Sequence, residues 1–335
     1  MKPFVSLYEI IIKEDIDIEV AHKIYTHYLK LDIEKNILEW GRYFFPDKFF
    51  KPFCFSFHDY LIEIMDEELT ATLAPREHAK TVIKCFLVPL YLALTSNKYK
   101  HFLNVQNTVS KAININLSIR QELETNEKLR YLYGDQIDQT KWTEKQFCLK
   151  NGVVFSAIGC GESIRGMAWQ NKRPDYIVLD DIYDDEDINN LGRCKKKSNW
   201  FWSTIYPARS SHKKCSIHIQ GTAINKSDLM HTLKENAKFK KFQAVLDWDK
   251  KKTLWFPFEK LKKDKELMGT VIFSREMQNE LRDDETSIIK SDWVRYYKAI
   301  PTDETIEHKI LAVDPAIGLK NTNDYTGKCI IYKTN

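Results

Sequence analysis

The sequence is poor in glycine and proline, 11 and 10 of 335 residues, which excludes a collagen-like or low-complexity chain. It also lacks a long apolar run. The longest, Phe86 to Leu94, contains Pro89 and falls far short of the ~20 residues a membrane helix needs. No apolar signal segment with a cleavage site opens the chain, so a cytosolic protein is expected, with no membrane partner. The seven cysteines (Cys54, Cys85, Cys148, Cys160, Cys194, Cys215 and Cys329) form no Cys-x-x-Cys pair. Scattered thiols in odd number fit reduced cysteines rather than a disulfide framework or a zinc site. An excess of one charge is lacking as well: a net +4 permits nucleic-acid binding without arguing for it. What is present, 43% hydrophobic and 29% charged residues, describes a folded protein with a large domain and a smaller or partial one. The clusters Lys195-Lys196-Lys197, Lys213-Lys214 and Lys250-Lys251-Lys252 read as solvated surface, with phosphate contact as the alternative.

Apolar positions at helical spacing from Ile16 to Tyr43 (Val20, Ile24, Tyr28, Leu31, Ile37, Leu38) predict a helical lead-in ending near Pro46. From Leu69 the pattern changes to short apolar runs separated by helical segments, as in a parallel sheet built from alternating strands and helices. Five runs read as strands: Leu69 to Leu73, His101 to Val105, Val153 to Ile158, Tyr176 to Leu179 and Ser216 to Ile219. Between Phe147 and Ile158, Asn151-Gly152 is a hairpin signal and predicts an antiparallel pair. A polar stretch around Arg282 to Ser291 suits a connection between domains, after which Ile310 to Val313 and Lys328 to Tyr332 read as two further strands. The expected division is a lead-in over 1–50, a main domain over 51–285, a linker over 286–303 and a second, partial domain over 304–335.

Two segments carry chemistry. Ala74-Pro75-Arg76-Glu77-His78-Ala79-Lys80-Thr81 follows a strand and precedes a helical pattern, which gathers backbone N–H groups, an ammonium and a hydroxyl as a nucleoside triphosphate with Mg²⁺ requires. Ala74 and Ala79 stand where the simple P-loop pattern has glycines, and Pro89 should kink the helix, so an ordinary exposed loop is the other reading. Pro174 to Asp181 is an apolar strand delivering Asp180 and Asp181 at its C-terminal end, where such sheets bind ligands. One carboxylate there can hold Mg²⁺ while the next orients or deprotonates water; a helix cap is the alternative. Asp184, Asp185, Glu186 and Asp187 continue the acidity and read as solvated surface.

Leu73 to Thr81 resembles the glycine-poor Walker A motif of phage terminase large subunits, with an arginine inside the loop. Other segments follow in that family's order. Ser163-Ile164-Arg165-Gly166 is similar to its Arg-Gly loop, Ile177 to Asp181 to its Walker B, and Gln220-Gly221-Thr222, followed by Asp228-Leu229, to its coupling motif. Trp255-Phe256-Pro257 and Phe273 to Asn279 resemble the stretch between motor and nuclease, and Leu311 to Ala316 with Asp324-Tyr325-Thr326 the opening of the nuclease. The resemblance spans roughly residues 40 to 335. It implies an α/β P-loop NTPase of the ASCE, RecA-like class, with a mostly parallel sheet flanked by helices and a truncated RNase H-like piece. ATP and Mg²⁺ are the implied ligands: Lys80 on the β- and γ-phosphates, Thr81 and Asp180 on the metal, and Arg76 a second cation near the γ-phosphate.

Asp181 falls where the family has a catalytic Glu, which leaves Asp181 or Glu186 to activate the water. Arg165 reads as an arginine finger or a structural loop cap. Gly221 and Thr222 read as a γ-phosphate sensor or a plain turn. His58 and Phe57 read as adenine contacts or core residues. Asp314 resembles the first metal ligand of a two-metal nuclease using Mg²⁺ or Mn²⁺; with only Asp324 beside it, no cleavage is expected from this polypeptide. The implied partners are duplex DNA, a portal protein and procapsid, a terminase small subunit and further copies in a ring, in the host cytoplasm. Rival expectations are a helicase-like or other P-loop translocase, and a DNA- or protein-binding module with an inactive nucleotide site.

Overall fold

Apolar alternation along the predicted runs builds one sheet in the computed structural model, which describes residues 18–164, 169–170, 172–188, 190–211, 214–225, 227–281, 306–314 and 327–334. The chain divides into two units, Met1–Arg282 and Asp283–Asn335. In the first, strands β1 (Leu69–Leu73), β2 (His101–Gln106), β3 (Ile137–Trp142), β4 (Gln146–Leu149), β5 (Val154–Gly159), β6 (Tyr176–Asp180), β7 (Ser216–Gly221) and β8 (Lys238–Lys241) lie in the order β3-β4-β5-β2-β6-β7-β1-β8. From β5 to β8 every pairing is parallel; β3-β4 and β4-β5 are antiparallel, and the second of these joins through Asn151-Gly152, with Gly152 at φ +77°. β7 stands between the strand that leads into the lysine loop and the strand that ends in two aspartates. β3 and β8, the two edge strands, have mixed polar patterns that no apolar run announces.

Side-chain alternation sends successive residues to opposite faces, and both faces are covered, as a parallel sheet requires. Phe102, Tyr176 and Val178 pack on one face with helix α1 (Ile18–Ile33), α2 (Ile37–Phe44), α3 (Val88–Thr95) and α4 (Val109–Thr125). Leu103, Val105, Ile177 and Leu179 pack on the other with α5 (Leu191–Trp200) and the π-helical Phe201–Ile205 that continues it. Among the described residues the helical lead-in consists of two helices, α1 and α2. Asn36 caps α2 by accepting from the N–H groups of Leu38 and Glu39, and Leu31, expected on the apolar face, is exposed. Trp40 is fully buried and donates to the Tyr133 hydroxyl at 2.8 Å. Pro89 lies in the first turn of α3, which continues without a break from the π-helical turns Val82–Leu87.

The acidic run at the end of β6 corrects an expectation. Asp187 is fully buried rather than solvated, its carboxylate accepting from Arg193 Nε at 3.0 Å, from Lys197 Nζ and from the Asp184 N–H at 2.8 Å. Burial works against the charged form, yet these hydrogen bonds, that of Lys197 foremost, outweigh it and hold the carboxyl below its ordinary range. Lys197 is likewise no free surface charge, since it also donates to the Ile182 carbonyl at 3.0 Å.

A small subdomain closes the unit. Strands β9 (Val245–Asp247) and β10 (Lys252–Thr253) and helices α6 (Phe258–Met268) and α7 (Thr270–Gln278) share a core of Val245, Phe256, Leu261, Phe273 and Met277. The second unit shows an antiparallel pair, β11 (Ile306–Asp314) with β12 (Gly327–Thr334), in which Asp314 stands opposite Gly327. Among the described residues no helix is long and apolar enough to cross a membrane.

Candidate nucleotide site

Three strand ends meet at one rim. β1 ends at Leu73, and the loop that follows is held to β7 by the Ala74 N–H on the Gly221 carbonyl at 2.9 Å. The loop folds as a glycine-containing phosphate loop would, but without glycine: Glu77 at φ +62° and Ala79 at φ +60° both occupy left-handed backbone. Such conformations cost L-residues about 1 kcal/mol or more. Ala79→Gly is therefore expected to raise stability by about 0.5–1 kcal/mol in urea unfolding, and a loss of stability would show that the loop carries no strain there.

Beneath the loop lie two histidines. His58 Nδ1 accepts from the Cys54 N–H at 2.9 Å, which fixes the tautomer, so Nε2 donates to the His78 carbonyl at 3.2 Å. His78 Nδ1 in turn donates to the Arg76 carbonyl at 2.7 Å. Both rings and Phe57 are fully buried. His58 has no face free for an adenine ring, and the expected contact is corrected: this residue props the loop from below.

At the helix start, Lys80 and Thr81 turn inward. Lys80 Nζ lies 3.2 Å from Asp181 Oδ2, and the Thr81 hydroxyl donates to Asp180 Oδ2 at 2.8 Å. The buried Asp180 carboxylate also accepts from the amides of Gln106 (3.1 Å, Oδ2) and Gln220 (2.9 Å, Oδ1). Burial, then the adjacent Asp181 charge, pushes its pKa up to about 6 against the pull of Lys80, Thr81 and Gln106. Asp181 itself is at φ +43° and its side chain is 44% exposed, open to the rim. Gly221 leaves it room: a Cβ there would sit 3.1 Å from Asp181 Oδ1 and 3.2 Å from Met230 Cε.

The oxygen donors of Thr81, Asp180 and Asp181 suit a hard cation such as Mg²⁺. Beside them Gln220 Oε1 is buried without a partner, an acceptor that a metal-bound water would satisfy.

Solved structures of phage packaging proteins are similar to this chain. The HK97 bacteriophage large terminase shares 12% identity over 67% of this chain and 55% of its own, with a TM-score of 0.45. This chain thus spans about half of that protein. The Thermus phage P74-26 large terminase ATPase domain shares 14% over 70% of this chain and 98% of its own, at 0.43. The large terminase of a thermophilic bacteriophage, solved in complex with ADP, shares 10% over 90% of this chain and 65% of its own, at 0.42. No family model and no curated protein matches the sequence. Likeness this distant assigns no activity; that rests on the residues of the rim.

The remaining predicted site residues lie elsewhere. Arg76 is 66% exposed and pairs with Glu276 Oε2 at 3.2 Å, so its guanidinium is engaged by α7. Glu186, the alternative water-activating acid, is 77% exposed and bonded to Arg193. Pro75 is buried at the loop's entry, and Thr222 is buried just past the end of β7. Arg165 and Asp324 fall outside the described residues, as does the side chain of Asp314. Gln106 went unrecognised in the sequence, and Glu276 and Asn279, inside the Phe273 to Asn279 segment, were given no role of their own. The signal for Gln106 was available, a polar residue one step past the apolar run that became β2.

Neutral histidines give the molecule a pH signature. Burial holds His58, His78 and His101 at about 4 and His218 well below its ordinary value. As pH falls from 6.5 toward 4, the unfolded chain takes up protons that the folded one refuses, so the histidines' contribution is full above about 6.5 and declines below it. Each histidine contributes up to about 1.4 kcal/mol per pH unit in that window. Asp180, raised to about 6, acts in the opposite sense, while the lowered carboxyls of Asp66 and Asp187 act with the histidines. Thermal melts from pH 8 to 4.5 should fall steeply below 6.5; a flat profile would contradict the buried neutral rings.

Proposed function

We propose that this chain is the ATP-hydrolysing unit of a terminase large subunit, which drives duplex viral DNA into a procapsid. The observation that carries the reading is the meeting of Lys80 with Asp181 and Thr81 with Asp180 at one rim, one strand apart in the sheet. The order of the terminase-like segments along the chain supports the choice of this motor over other P-loop ATPases.

ATP would lie with its phosphates in the loop Pro75 to Ala79, whose backbone N–H groups and helix start favour anions. Lys80 would neutralise the β- and γ-phosphates, and Arg76, released from Glu276, would add charge at the γ-phosphate. Thr81 and Asp180 would hold Mg²⁺, directly or through water, and the ion would supply neutralisation of charge on the phosphates. Asp181, exposed and anchored by Lys80, would accept the proton of the attacking water. Arg165 would supply transition-state charge from its own or a neighbouring copy. Thr222, behind the narrow Gly221 contact with Asp181, would register loss of the γ-phosphate. Contacts to DNA would be to phosphates, so independent of sequence and weakened by salt. The β11–β12 pair carrying Asp314 would begin an RNase H-like nuclease.

Purified protein with cognate procapsids, ATP and Mg²⁺ should protect linear duplex DNA from added nuclease. ATP turnover that strand separation stimulates, without any protected DNA, would replace packaging by a helicase-like role.

A further inference from the structure

Helix α7 touches the phosphate loop and the turn after β7 at the same time. The Glu276 carbonyl accepts the Arg76 N–H at 3.0 Å while its carboxylate, 5% exposed, holds the Arg76 guanidinium. One turn on, Asn279 is buried at φ +52°, and its side chain bridges two chain segments. Oδ1 accepts from the Ala223 N–H at 2.9 Å, immediately after Thr222, and Nδ2 donates to the Phe242 carbonyl at 2.8 Å. The Phe242 N–H in turn donates to the carbonyl of Leu73, the last residue before the loop.

We infer that Glu276 and Asn279 are positioning residues through which occupancy of the rim reaches the end of α7, a few residues before the second unit begins at Asp283. The inference rests on the ATP-binding reading above.

The physical case is differential. A triphosphate in the loop offers Arg76 a second anion, and whatever share of the guanidinium it takes is lost to Glu276. The Glu276 carboxylate is too buried to be resolvated cheaply and would fall back on Arg275, whose Nε lies 3.0 Å from Oε1. Movement of the Gly221–Thr222 turn is transmitted separately, because Ala223 and Asn279 share one hydrogen bond. Both routes converge on a single helical turn. An asparagine serves at 279 because it tolerates left-handed backbone and carries a donor and an acceptor on one short arm.

Hydrogen–deuterium exchange of the full chain with Mg²⁺ and a non-hydrolysable ATP analogue tests this. In the parent, segments 74–81 and 270–281 should both slow, each by about threefold or more. Asn279→Gly keeps the backbone conformation while deleting both hydrogen bonds. It should leave the 74–81 response intact and cut the 270–281 slowing to about half or less, the remainder arriving through Glu276. An α7 that ignores the analogue in the parent, or responds equally in Asn279→Gly, overturns the inference while the loop response still upholds ATP binding. No response at 74–81 sinks the ATP-binding reading itself. If Asn279→Gly loses its cooperative melt, Glu276→Gln, which keeps the side chain's shape, should flatten the α7 response; a full response there overturns the inference too.

Discussion

Lys80→Ala is expected to lower ATP turnover by at least about 100-fold, because it removes a preorganised charge from a site shielded from water. Lys80 is almost wholly buried and its ammonium lies 3.2 Å from Asp181. No other lysine lies in the loop, and Lys84, one turn on, donates to the Leu61 carbonyl at 3.3 Å. Phosphate release with saturating Mg²⁺ measures the effect, and turnover within about twofold of the parent would leave the rim without a role in hydrolysis. Asp181→Asn sharpens the assignment. It keeps size and most polar contacts while removing the proton acceptor, so a loss of about 10²- to 10⁴-fold is expected. Glu186→Gln should leave turnover unchanged, since Glu186 projects into solvent and is tied to Arg193. The reverse pattern would move the base from Asp181 to Glu186.

For stability the largest expected change is at Asp187. Asp187→Ala deletes the buried carboxylate that three donors share and takes from the largely enclosed Lys197 its shortest ion pair, leaving it Asp184 Oδ2 at 3.6 Å. Removing one member of a buried ion pair costs about 3–5 kcal/mol, and urea unfolding should show a loss in that range. A change below about 1 kcal/mol would return this acid to the solvated surface. Asp187→Asn, which retains an oxygen for the Asp184 N–H, should lose less.

Much of the fold was legible in the sequence, and the limits have a physical pattern. Apolar runs located β1, β2, β5, β6 and β7, because strands buried on both faces read as continuous hydrophobic stretches. Four of these five extend one or two residues beyond the apolar run, and the added residues include Gln106, Asp180, Gln220 and Gly221. A ligand rim needs polar groups where the strand still has its pairing but has left the core, so hydrophobicity ends before the strand does. Edge strands β3 and β8 carried no such signal. Lys80, Thr81, Asp180 and Asp181, singled out by residue type and motif order, are brought together at one rim. For His58 the sequence left an adenine contact and a core position open, because a histidine's surroundings depend on tertiary packing, and the structure buries it. The acidic run hid Asp187, though Arg193 and Lys197, one helical turn apart, offered a matched pair of cations on one face.

One of the sheet's two edge strands, β8, reads Lys238-Phe239-Lys240-Lys241 and among the described residues pairs only with β1. A free edge of this kind is a template on which a strand of another chain could dock, and the repeated ammonium groups make such docking unfavourable. In the proposed ring, neighbouring copies would therefore not join their sheets through this edge. Each subunit could then pivot against its neighbours without breaking a shared ladder of backbone hydrogen bonds.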